Sequence, residues 1–103
     1  MRGEMVMVPG GAWPSLAIVP EISRFHGIIV RMFHREHEPP HLHAEFAEHE
    51  ITVNIETLEM SHRFPRNAAR RIQTWVVLHQ DELLECWRCA REGKSIPSVP
   101  PLE

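Results

Sequence analysis

No run of apolar residues in this 103-residue chain reaches the ~20 needed for a bilayer-spanning helix, so that class of function is excluded. Glycine is scarce, with five in all, and none is set in a loop that could cradle a phosphate, which argues against nucleotide-binding motifs. Neither Ser23 nor Ser61 stands in the glycine-framed turn that exposes a nucleophile, so a serine hydrolase is unsupported. The two cysteines, Cys86 and Cys89, form a single C-x-x-C with no second pair to complete a four-thiolate zinc site. Three residues apart within a helical run, they read as small apolar residues on one face. Lysine is almost missing: ten of the eleven basic residues are Arg and only Lys94 is Lys, a skew toward planar forks that hold carboxylates or phosphates. Fourteen acidic side chains bring the net charge to -3, which disfavours a generic polyanion binder. Free thiols and the lack of an export signal point to the cytoplasm.

Histidine, by contrast, is abundant. There are eight, and His34, His37, His41, His43 and His49 fall within sixteen residues. The stretch "GIIVRMFHR", Gly27 to Arg35, reads as a strand with Ile28, Val30 and Met32 toward a core and Ile29, Arg31, Phe33 and Arg35 on the opposite face. Pro39 and Pro40 then interrupt the ladder. "HLHAEF" and "ITVNIE" alternate strictly, with Leu42, Ala44, Phe46, Ile51, Val53 and Ile55 on the apolar side, and "AEHE" between them as a four-residue hairpin loop. Phe46 opposite Ile51 would set His43 against Asn54 and His41 against Glu56. Pairing with the first strand would bring Arg31 to Glu45 and Arg35 to His41. A short further strand is expected around Leu58 to His62.

From Pro65 the period becomes helical: Ala68, Ile72, Trp75, His79, Leu83, Cys86 and Ala90 recur at three and four residues. The stripe fits one helix of about seven turns, or two in register with Asp81 capping the second, ended by Gly93. The expected class is α+β: a three- or four-stranded antiparallel β-meander with one long, or two in-register, C-terminal helices packed on one face. Residues 20–94 form the domain, 1–19 an N-terminal extension and 95–103 a proline-rich extended tail whose Leu102 and Glu103 read as a cloning remnant.

The face left open carries Arg31, Arg35, His41, His43, Glu45, Asn54 and Glu56. Histidines two apart on a strand project the same way, so His41, His43 and Glu45 or Glu56 offer two nitrogens and an oxygen to zinc or another divalent transition metal, with His37 as a fourth group. Such a site suits a small metal-dependent hydrolase. A second reading is anion or RNA recognition: Arg63, Arg66, Arg70 and Arg71 crowd the start of the helix where acids are usual, and Arg31, Arg35 and the histidines make the sheet a cationic face that could track phosphates of a strand, with Phe33 to stack on a base. A third is pairing with a cognate protein or a second copy through the exposed sheet face.

"ISRFHGIIVRMF", "EHEPPHLHAEF" and the helix from Pro65 to Lys94 together resemble a family of small bacterial proteins catalogued as a domain of unknown function. The Pro-Pro-His-x-His-Ala core carries the resemblance, which covers the chain from about Pro20. It implies a component of a toxin–antitoxin-like gene pair and supplies no catalytic residue. Relatives begin with Met-Pro just ahead of the Ile-Ser-Arg-Phe segment, whereas Val19 stands here, so Met1 to about Ala17 are expected to be an over-extended gene start.

Overall fold

The computed structural model describes residues 20–103, and the expectation for residues 1–19 lies outside them. Four antiparallel strands follow one another in space as in sequence: β1 (Glu21–Phe25), β2 (Ile28–Arg31), β3 (His41–Phe46) and β4 (His49–Asn54). Among the described residues no helix is long and apolar enough to cross a membrane.

Turn chemistry sets the registers. His26 and Gly27 both have positive φ, 49° and 79°, the signature of a tight two-residue hairpin whose twist matches its strands. A Cβ on Gly27 would also stand 3.1 Å from the Phe46 ring. The β3–β4 turn is shorter than the alternation suggested. Phe46 pairs with His49 and Ala44 with Ile51, so the loop is Ala47-Glu48, with Ala47 at φ 54°, and "AEHE" is half strand. His43 therefore lies opposite Thr52 and His41 opposite Asn54, not Asn54 and Glu56. The slip is by two residues, which is why the polar and apolar faces survive unchanged.

The fourth strand lies at the other end of the sheet from the expected one. β1 is hidden in the sequence by a bulge between Glu21 and Ser23, which turns both Ile22 and Ser23 inward and erases the alternation. The segment around Leu58–His62 contributes only the bridge from Met60 to Val53, with Asn54 N–H donating to the Glu59 carbonyl at 2.9 Å. β2 ends at Arg31, and Arg35, expected on the same strand, instead takes a left-handed conformation (φ 62°) and donates its N–H to the Ala90 carbonyl at 3.1 Å.

The helical stripe resolves into two helices in phase, α1 (Arg66–Leu78) and α2 (Gln80–Arg91), separated by His79 at φ -119°, ψ 25°. The hydrogen-bond ladder still runs through the break, from His79 N to Trp75 O and from Leu83 N to His79 O, so both helices face the sheet. His79, not Asp81, occupies the cap position, and its Nδ1 lies 2.5 Å from Glu82 Oε1. At the far end Gly93 (φ 73°) and Lys94 donate to the Ala90 and Cys89 carbonyls at 3.2 and 2.9 Å, the paired bonds of a Schellman motif. Between the layers Trp75, Ile72, Leu83, Leu42, Val53 and Met32 are essentially inaccessible.

The tail is part of the fold. Val99 is 3% exposed and donates its N–H to Ile22 O, while Trp75 Nε1 donates to Pro100 O at 2.8 Å and Leu102 packs half-buried on the core.

Candidate metal centre

The loop between β2 and β3 is built outward from α2. Arg35 N–H bonds Ala90 O, His34 Nε2 lies 3.1 Å from Lys94 O, and the Glu38 carboxylate accepts from Trp87 Nε1 and from Arg91, each at 3.2 Å. These anchors on the last turns of α2 carry Glu36 over the start of β3. Pro40 then ties the loop to the sheet, its carbonyl accepting Ile55 N–H at 3.0 Å.

Strand geometry points His41 and His43 the same way, and Glu36 meets both. One carboxylate oxygen, Oε1, lies 2.9 Å from His41 Nε2 and 3.0 Å from His43 Nε2. One ligand atom from each of the three side chains lies within 4.8 Å of the other two, and all three residues are half-buried. The rings are held from behind: Phe33 stacks on His43 with centroids 4.1 Å apart at 12°, and Trp87 packs on His41 at 5.0 Å.

His41 Nδ1 is 2.9 Å from the Pro39 carbonyl, which can only accept, so Nδ1 bears a proton. A neutral His41 then presents its lone pair at Nε2 to a carboxylate that also has only lone pairs. Positive charge is needed between them, either a second ring proton or a cation. An ion bound at about 2.0–2.2 Å to each atom needs its ligands spaced by about 3.3 Å, a few tenths of an ångström wider than the observed contacts.

The expected acid is elsewhere. Glu45 accepts from Arg31 Nε at 3.0 Å, the expected contact, although the register differs by two residues from the expected one: Arg31 stands opposite His43 and Ile29 opposite Glu45, and the ion pair engages the carboxylate outside the histidine cluster. Glu56 and His37 are exposed and outside the cluster, and Asn54 Oδ1 is occupied by the N–H groups of Glu56 and Thr57, each at 2.8 Å. Arg35 does not reach His41: its guanidinium covers Gly93. With Arg31 neutralised and Arg35 turned to α2, the sheet face is not the cationic surface expected. Arg63, Arg66, Arg70 and Arg71 are all exposed, at and just ahead of α1, and make no ion pair or hydrogen bond with the sheet among the described residues. Both cysteines are free and buried, and burial first, then the neighbouring Cys89, Glu82 and Glu85, pushes the Cys86 thiol up to about 11.

Residues 27–88 match the family described as domain of unknown function (DUF4160), well over half of the chain. The chain belongs to this family. The matched span of the DUF4160 domain contains β2 to β4, α1, most of α2 and the whole Glu36–His41–His43 cluster, while β1 and the tail lie outside it. No curated protein and no solved structure matches the chain.

Proposed function

We propose that this DUF4160 domain is a small metal-binding module that holds one divalent transition-metal ion on Glu36, His41 and His43 and serves hydrolysis. The carrying observation is the convergence of two imidazole Nε2 atoms on one carboxylate oxygen, with the opposite nitrogen of His41 already committed to Pro39. That backbone carbonyl fixes the tautomer that leaves Nε2 free to coordinate. Two nitrogens and an oxygen suit zinc, and three protein ligands leave positions for water and substrate. Hydrolysis follows as the reaction class, since it needs only a polarised bond and an activated water.

Titrating zinc into chelator-treated protein while following the His41 and His43 ring resonances tests this. Shifts complete at one equivalent, with cobalt giving the absorption of a four- or five-coordinate ion, are the expected result. Loss of those shifts in His41→Ala with an unchanged fold would confirm the ligand. Absence of binding at millimolar zinc would sink the proposal.

Pairing with a cognate protein, as one component of a toxin–antitoxin-like pair, or with a second copy, is the second reading. Its support is the uncovered sheet face, where Ile29 stays half-exposed beside the neutral Arg31–Glu45 pair. Light scattering across a hundredfold range of concentration distinguishes self-association, which Ile29→Glu should abolish.

A further inference from the structure

The arginines that the metal site leaves unused stand in a stretch of sequence that contains no acid. Between Met60 and Gln80 the chain has Arg63, Arg66, Arg70 and Arg71 and no Asp or Glu, so this segment is +4 while the remainder, seven basic against fourteen acidic residues, is -7. The structure sharpens the contrast. Arg24, Arg31, Arg88 and Arg91 each pair with a carboxylate, and Lys94 pairs with Glu92. Arg63, Arg66, Arg70 and Arg71 are exposed and have no carboxylate partner among the described residues. α1 has no acid in its first turn, so its own positive end adds to the charge.

We infer that the exposed face of α1 is a contact surface for the backbone of a nucleic-acid strand. Arg66 and Arg70 lie one turn apart, about 6 Å along the axis, so neighbouring arginines can reach neighbouring phosphates of one strand. Asn67 and Thr74 are exposed on the same helix and Gln73 is half-exposed. Amide and hydroxyl groups beside arginine forks are the usual partners of phosphate and sugar oxygens. Like charges at this spacing repel one another, and none of the four has a carboxylate at ion-pair distance among the described residues; a polyanion would relieve that repulsion. The surface is separate from the Glu36–His41–His43 cluster, so the inference stands or falls independently of metal binding.

The test is fluorescence anisotropy of a labelled 20-nucleotide single-stranded RNA against the full chain from 50 to 300 mM salt. For three or four phosphate contacts the slope of log K against log salt should be about -2 to -3. The double substitution Arg66→Gln/Arg70→Gln should flatten that slope by roughly 1.4 and weaken binding at least tenfold, while Arg24→Gln, which removes a carboxylate-paired arginine on β1, leaves both unchanged. Melting temperatures within about 2 °C of the parent would show that the double variant is folded. No binding at 50 mM salt overturns the inference, as does equal binding by the double variant. Tighter binding to a poly-glutamate peptide than to RNA overturns it too, in favour of an acidic protein partner.

Discussion

His41 has a carbonyl at Nδ1, a carboxylate at Nε2 and an aromatic wall at its back. If the proposed site holds zinc, the ion must displace any proton on its ligand atoms, so binding should release protons into weakly buffered solution, measurable by indicator dye. Glu36→Gln, which keeps shape and loses charge, should weaken zinc binding by at least tenfold, whereas Glu45→Gln, which disturbs only the Arg31 pair, should leave it within about threefold. Isothermal titration of the two variants separates the residue the alternation favoured from the one the loop delivers. The alternation exposed both histidines because a strand projects every second residue to one side. It missed Glu36, whose approach depends on a loop path that has no period. At Cys86 the thiol is held up to about 11 against an unfolded value near 9.0, so the folded state keeps its proton longer. Stability from this group is whole below pH 9.0 and is lost as pH rises through about 11; urea unfolding at pH 8 and 10.5 should show the fall, reduced in Cys86→Ala. At pH 8 iodoacetamide should modify Cys86 more than tenfold slower in folded than in unfolded protein.

Elements were legible where one face is buried and illegible where geometry breaks the period. β3, β4 and the helical stripe announced themselves through alternation or three-and-four spacing, and Gly93 marked the helix end. β1 was concealed by its bulge, and the β3–β4 turn was misjudged because Ala47, a residue with no turn preference, adopts positive φ. Gly93 itself offers an element-level test. Alanine there meets a positive φ of 73° and would place its Cβ 2.3 Å from an Arg35 guanidinium nitrogen. Gly93→Ala should cost about 1 kcal/mol or slightly more, since the flexible arginine can move but the backbone strain remains. Chemical denaturation measures the loss, and the displaced Arg35 should loosen the Glu36 loop, seen as faster amide exchange at residues 34–38.

Across the whole molecule the meander leaves two sheet edges, and irregular chain covers each. Residues 59–61 lie along β4, and the tail reaches β1 through Val99. The cover on β4 is what remains of the strand expected around Leu58 to His62, reduced to one bridge; the tail's cover has no counterpart in the sequence reading, because a proline-rich segment carries no ladder signal until a neighbouring strand supplies one. Val99→Ala should cost about 1–2 kcal/mol from lost burial and, by unsettling Pro100 over Trp75, red-shift the tryptophan emission.

The β2–β3 loop belongs to both layers at once: Arg35 and Glu38 are fastened to α2, Glu36 to the histidines of the sheet. An ion on Glu36 and a ligand on the last turn of α2 would therefore act on the same eight or so residues of chain, and thermodynamic reciprocity makes their influence mutual. Whatever docks near Trp87 and Arg91 would set the affinity for zinc, and zinc, in equal measure, would set the affinity for what docks there.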